Sequence, residues 1–232
     1  MKNNTLRLDI SRQPNDSTCG PTSLHAVYNY FNEDISLEEV IDSIEYLESG
    51  GTLAVMLGID ALKKGFQAEI ITFNLKVFDP SWFQDDNINL ISKLKEQLKH
   101  KKAPKFKQAS LAYIQFLENG GKITYKTLNK DLLYSYLIQD IPILTGLSAT
   151  YLYNEKREYG DPVFYDDIKG QPSGHFVVLS GINYENKSVQ VADPLHGNPF
   201  DSQLYSVNID HLICAILLGV ITYDANLLII NK

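Results

Sequence analysis

Gln13-Pro14-Asn15-Asp16-Ser17-Thr18-Cys19-Gly20-Pro21-Thr22 runs directly into a strongly amphipathic segment. In that segment Leu24, Val27, Tyr28 and Phe31 fall at i, i+3, i+4 and i+7, the spacing of one buried helix face. Ser17 and Thr18 are candidate N-caps, and Pro21 suits a first helical turn, where its missing N–H leaves no bond unmade. Cys19 is thereby placed at or near a helix N-terminus. Unpaired backbone N–H groups and the positive end of the helix dipole favour thiolate over thiol there. The stretch predicts a nucleophilic cysteine.

A base and its orienter are found far downstream. Gly174-His175-Phe176-Val177-Val178-Leu179-Ser180-Gly181 reads as a buried strand opening on a histidine. After a polar turn at Glu185-Asn186-Lys187, Ser188-Val189-Gln190-Val191-Ala192-Asp193-Pro194 reads as the next strand, ending in an acid. The chain reverses between them, so an antiparallel pair brings His175 and Asp193 near one sheet edge. A cysteine, a histidine and a third group fixing the imidazole are the layout of thiol acyl transfer. Gln13 lies six positions before Cys19. Its amide, with the Cys19 backbone N–H, is a candidate donor to an oxyanion.

The segment Gln13 to Phe31, with Gly174-His175-Phe176-Val177-Val178 and Ala192-Asp193-Pro194, resembles the peptidase C39-like proteins of the papain-like cysteine peptidase superfamily. The resemblance implies an α+β papain-like fold. It also implies that Gln13, Cys19, His175 and Asp193 take the places of the family's glutamine, nucleophilic cysteine, histidine and aspartate, in the same chain order. It covers both ends of the chain and leaves roughly residues 75 to 140 unmatched. Many members carry an acid immediately before the cysteine, where this chain has Thr18 with Asp16 nearby. The better-known members sit on membrane exporters and cut leader peptides after a Gly-Gly pair. No exporter is read in this chain, so that substrate is not carried over.

Composition sets outer bounds. The chain has 232 residues, 44% hydrophobic and 21% charged, which suits one globular domain with an insertion better than two domains. A net charge of −7 argues against nucleic acid or an anionic membrane as the main partner. The cluster Lys99-His100-Lys101-Lys102 with Lys105 and Lys107 reads as a solvated helix end. Cys19 and Cys214 lie 195 positions apart, which argues against a structural disulfide and fits a reducing compartment. Cys214, inside Leu212-Ile213-Cys214-Ala215-Ile216-Leu217, reads as a buried, inert thiol. Met1 to Ile10 lacks the apolar stretch of a signal peptide, and no run reaches the ~18 apolar residues of a membrane span. The expected location is cytoplasmic.

Along the chain, helices precede strands. Ser36-Leu37-Glu38-Glu39 is a capping box, and Thr52 is expected to cap a helix through Leu62 that stops at Gly65. Phe66 to Phe73 reads as a strand, and Trp82 to Leu137 as helical, with apolar stripes at Ile88 to Leu98, Leu111 to Leu117 and Leu128 to Leu137. Ile141 to Leu147 opens the strand-rich part, Ile209 to Leu217 reads as a short helix, and Val220–Tyr223 with Leu227–Ile230 as a hairpin about Asp224-Ala225-Asn226. The long, Tyr-rich loop from Tyr151 to Ser173 leads into His175, where lids and specificity walls are found. Together these predict an α+β domain spanning residues 1–232, its helical N-terminal half packed on an antiparallel sheet, with a helical insertion around 80–138.

The expected activity is hydrolysis of peptide or amide bonds by a Cys19–His175–Asp193 triad with Gln13 at the oxyanion. Transfer of the acyl group to an amine or thiol, as in transglutaminase-like or phytochelatin-synthase-like proteins, shares the same first step. A catalytically silent peptide-binding module is the alternative outside enzymes. A metal reading of His175, Asp193 and His196 lacks an HExxH-type helical spacing, and neither metal nor cofactor is expected. His25 reads as packing or surface, and Asn198 as a spare orienter for the imidazole. The expected partner is a peptide or protein substrate; oligomeric state is not readable.

Overall fold

The computed structural model describes residues 3–48, 50–160 and 162–232. The first half contains β1 (Asn4–Thr5), α1 (Cys19–Tyr30), α2 (Leu37–Ser43), α3 (Ala54–Lys63) and β2 (Gln67–Thr72). It continues with α4 (Leu90–His100), α5 (Pro104–Glu118), β3 (Lys122–Thr124) and α6 (Lys130–Leu137). Next come β4 (Ile143–Ser148), α7 (Ala149–Tyr153) and the short strands β5 (Glu158–Tyr159) and β6 (Phe164–Tyr165). The chain then runs through β7 (Gly174–Asn183), β8 (Ser188–Ala192), β9 (Leu204–Asn208), α8 (Ile209–Leu218) and β10 (Asn226–Asn231).

Eight strands form one sheet in the order β3-β2-β10-β4-β7-β8-β9, with β1 also paired to β7. All pairs are antiparallel except β2 with β3. Both faces are buried, which is why the strand segments read as aliphatic runs without polar alternation. The period of two still sorts them. Ile70, Leu144, Phe176, Val178, Leu228 and Ile230 join the core beneath α1, α3 and α5. Their neighbours Ile71, Ile143, Val177, Leu179, Leu227 and Ile229 join a second core beneath α6, α7 and α8. The helical N-terminal half thus covers one face, as its amphipathic pattern predicts, and later helices cover the other.

The sequence-predicted face of α1 is buried at Leu24, Val27 and Tyr28, with Phe31 packed at the edge. Tyr28 stacks on Phe66 at 5.2 Å, and its hydroxyl donates to Asp60 Oδ2 at 2.7 Å, so a fully buried phenol is satisfied. The Ser36–Glu39 capping box forms as read.

Four local readings are corrected. Thr52 does not cap α3; Leu53 holds that position, while the Thr52 hydroxyl donates to the Glu45 carbonyl. Residues 82–137 are not helical throughout, because Lys122–Thr124 leaves the helices to pair parallel with β2. Val220–Tyr223 is no hairpin arm: Gly219–Thr222 is a 3-10 turn, and β10 inserts between β2 and β4. Cys214 is exposed, not buried. On α8 the inward positions are Ile209, Leu212, Ala215 and Ile216, and Cys214 shares the outward side with Asp210 and Leu217. No helix among the described residues is long and apolar enough to cross a membrane.

Candidate active site

Cys19 is the first residue of α1 and is half-buried. Thr18 sits at the N-cap, but its side chain does not cap; Thr18 Oγ1 donates to the Asn15 carbonyl at 2.9 Å and accepts the Asn15 N–H at 3.2 Å. That turn shapes the loop before the cysteine. Gly20 is dictated by what lies opposite: a Cβ there would stand 2.5 Å from Thr52 Cγ2 and 3.3 Å from Phe176 Cδ2. Its absence lets the helix start press against β7, where Ser23 Oγ donates to the Phe176 carbonyl at 3.2 Å. The residue before Phe176 is His175, so the contact that needs glycine is also the one that sets cysteine beside histidine.

His175 lies in β7 opposite Leu147 of β4, and Asp193 immediately follows β8. The His175 Nε2 and Asp193 Oδ1 are 2.8 Å apart, both residues buried. With Nε2 committed to the carboxylate, Nδ1 is the ring nitrogen left for the sulfur, and Cys19 acts on the His175 ring by hydrogen bonding and charge. Burial alone would lower the imidazole pKa; the Asp193 carboxylate, aided by Cys19, overrides it and raises the value to about 10. Burial likewise opposes ionisation of Asp193, but the His175 charge and the donors around the carboxylate hold its pKa below the usual range.

Those donors include two tyrosines that the sequence did not mark as partners of the aspartate, Tyr153 being read only as part of the Tyr-rich loop. Tyr153 of α7 donates to Asp193 Oδ2 at 2.7 Å and Tyr205 of β9 at 2.6 Å, while the Leu195 N–H donates to Oδ1 at 2.8 Å. Burial first, and the carboxylate next, push both phenols far above their ordinary pKa, so both stay protonated as donors. The only sequence signals were the tyrosine-rich loop and the alternation Leu204-Tyr205-Ser206-Val207-Asn208, which shows as exposed, buried, exposed, buried, exposed.

Gln13 is buried, and its backbone N–H donates to the Pro194 carbonyl at 2.9 Å, which ties it to the aspartate's turn. Its Nε2 donates to the Asn15 carbonyl at 3.0 Å. Gln13 and His175 line a cavity of about 530 Å³, and Cys19 adjoins it through His175. The structure therefore brings Cys19, His175 and Asp193 into one chain of contacts with Gln13 alongside. Asn198 does not orient the imidazole; its amide donates to Leu195 and Ser202 carbonyls. His196 is exposed, and no group of His, Cys, Asp and Glu among the described residues is arranged to hold a metal ion. His25 is buried within α1 beside Asn29, as a packing residue.

A helix-borne thiol against a His–Asp pair on an antiparallel sheet is the arrangement of the papain-like fold, and the structure has that fold. The Peptidase_C39 like family model matches residues 5–207, and the chain belongs to that family. A crystal structure described as a C39-like peptidase from Bacillus anthracis is similar over 100% of this chain and 98% of that one, with a TM-score of 0.54 and 14% identity. A double glycine motif protease from an AMS/PCAT transporter, solved with its leader peptide, aligns over 100% and 99% with a TM-score of 0.46 and 13% identity. No curated protein matches the sequence.

Proposed function

We propose that the protein is a cysteine peptidase or amidase, working through Cys19, His175 and Asp193. The observation that carries this reading is the buried His175–Asp193 pair at 2.8 Å with Cys19 acting on the same ring from a helix start. An imidazole held protonated by a carboxylate favours a thiolate partner, and the helix N-terminus adds to that preference. Cys19 attacks the substrate carbonyl carbon; the carbonyl π electrons move to oxygen, which the Cys19 N–H and the Gln13 amide stabilise. The tetrahedral intermediate collapses, His175 gives its proton to the leaving amine, and a thioester remains. His175 then takes a proton from water as the water attacks the thioester, releasing acid and regenerating the thiolate. Asp193 holds the imidazole orientation throughout, itself held by Tyr153 and Tyr205.

The substrate class is peptide or protein, and two free cysteines support a reducing, cytoplasmic setting. The test is digestion of a diverse peptide library with sequencing of new termini, alongside intact-mass detection of an acyl-enzyme on Cys19. New termini that disappear in both Cys19→Ala and His175→Ala support the reading. Acylation of Cys19 that is discharged only by added amine or thiol would replace hydrolysis with transfer. Peptide binding without any Cys19 adduct would leave a binding module.

A further inference from the structure

Asp193 has no exposed surface, and its two oxygens are served differently. Oδ1 pairs with the His175 Nε2 and accepts the Leu195 N–H, both at 2.8 Å. Oδ2 accepts from two phenols, Tyr153 at 2.7 Å and Tyr205 at 2.6 Å. One donor would leave Oδ2 paired; a second goes beyond what burial requires. The tyrosines come from different elements, α7 and β9, and Phe200, between β8 and β9, braces both. Its ring stacks on Tyr205 at 4.0 Å and stands edgewise to Tyr153 at 6.2 Å. Three rings thus frame two hydroxyls that meet at one carboxylate oxygen.

Such donors change what the carboxylate does to its other partner. A hydrogen bond to a carboxylate stabilises its charge and, where water is excluded, draws electron density from it. With Oδ2 bound in this way, less charge is left on Oδ1 to hold the His175 proton. Asp193, after β8, and Cys19, on α1, are the charges acting on the His175 ring, and Leu147, opposite it on β4, brings none. A general acid works best when its proton is neither free nor gripped. Removing the Asp193 charge would free that proton, whereas removing the phenols would leave it gripped. The opposite signs separate charge sharing from mere support of the carboxylate.

We propose that Tyr153 and Tyr205 are positioning residues that share the Asp193 charge, so that His175 keeps the thiolate paired yet surrenders its proton to the leaving amine; the inference rests on the thiol acyl-transfer reading above. Their contribution passes through Asp193. Neither phenol gives up its own proton, since burial and the carboxylate hold both far above the ordinary phenol range.

Tyr153→Phe and Tyr205→Phe each keep the ring and remove the hydroxyl. Isotope-labelled histidine NMR, assigned with His175→Ala, follows the His175 titration midpoint without any turnover. Each variant is expected to raise that midpoint by roughly half to one pH unit, the scale of one donor on a carboxylate. An ortho-fluorinated tyrosine in place of Tyr153, a more acidic phenol of nearly the same shape, should lower it. On a peptide that the wild type cleaves, kcat should fall about two- to threefold in each Phe variant, following the tighter proton, with KM unchanged. Thermal melts check the variants, and where one melts early the fluorinated protein decides, an unmoved midpoint there overturning the proposal. Midpoints that stay or fall in both Phe variants, with cleavage intact in the wild type, overturn charge sharing and leave the enzyme standing. Raised midpoints in a protein that cleaves no peptide overturn the enzyme and keep the charge sharing. Unmoved midpoints without cleavage overturn both.

Discussion

Gln13 and Pro194 are joined through their backbones: the Gln13 N–H donates to the Pro194 carbonyl at 2.9 Å. The loop that carries the thiol is thereby fastened to the turn that carries the aspartate. Gln203 reinforces the seam, its amide donating to both Ser11 and Asp193 carbonyls at 3.2 Å. Main-chain bonds survive side-chain substitution, so single replacements in the site are expected to leave its scaffold in place.

Asp193→Asn should therefore cost activity before it costs the fold. The carboxylate accepts from His175, Leu195, Tyr153 and Tyr205, and an amide NH₂ cannot accept from them. Loss of turnover on the order of 10⁴-fold is expected, as when a triad aspartate is replaced. The His175 pKa, raised to about 10 in the native protein, should drop, because burial then acts without its counter-charge. The pH dependence has a definite sign. A native pKa above the unfolded ~6.5 gives His175 a stabilising contribution complete below that pH and lost as pH rises through about 10. Asp193, depressed in the native state, contributes above ~3.9 and loses that contribution as pH falls through its native pKa. Urea midpoints from pH 5 to 11 should decline on the alkaline side in the wild type and lose that decline in Asp193→Asn. An unchanged alkaline limb removes the pairing as its cause.

The two thiols should be told apart by mechanism, not by access. Cys214 is exposed and neighbours the Tyr151 hydroxyl, whereas Cys19 is half-buried beside His175. Iodoacetamide should modify both in the folded protein. His175→Ala should slow the reaction at Cys19 about tenfold or more while Cys214 is unaffected, as expected when activation comes from a neighbouring imidazolium. Peptide mapping over a time course reads both rates in one sample, and parallel rates in the two proteins defeat the nucleophile assignment.

Gly20→Ala tests the contact that seats the thiol. The new methyl would meet Thr52 Cγ2 at 2.5 Å and both Leu57 Cδ1 and Phe176 Cδ2 at 3.3 Å. Either Thr52 moves or the helix start lifts off β7, for about 1–3 kcal/mol of stability. Chemical denaturation gives the energy, and the Cys19 alkylation rate reports whether the imidazole contact opened. A variant as stable and as reactive as the parent would show that the close approach is dispensable.

What could be read before the structure was short in range. Cys19, the amphipathic face of α1, and the His175 and Asp193 strands separated by one turn are each specified within a dozen or so residues. Gln13 is placed by its distance along the chain. The misses are cases where a distant partner decides. Leu227–Ile230 reads equally as a hairpin arm or a central strand, and only β2 and β4, far upstream, choose between them. Thr52 has the side chain of a cap, yet Glu45 competes for its hydroxyl. In α8 Asp210 marks the outward side four residues before Cys214, but the run Leu212 to Leu218 carries no charged residue to extend that mark. Tyr153 and Tyr205 were invisible as site residues because their role exists only through Asp193, reached from 40 and 12 positions away.

The placement of β10 has a consequence for how the chain is born. It is the seam of the sheet: among the described residues, β3-β2 on one side and β4-β7-β8-β9 on the other are joined in the sheet through β10 and the adjoining Ala225. A ribosome delivers β2 and β4 before this strand, so each waits with the edge that β10 will occupy unpaired. During that interval an unclosed apolar face and open strand edges are exposed together, the condition under which nascent chains are most prone to stick. Completion of the sheet is thus timed by the emergence of residues 226–231, whereas α1 can seat on β7 directly, through Ser23 and the Phe176 carbonyl.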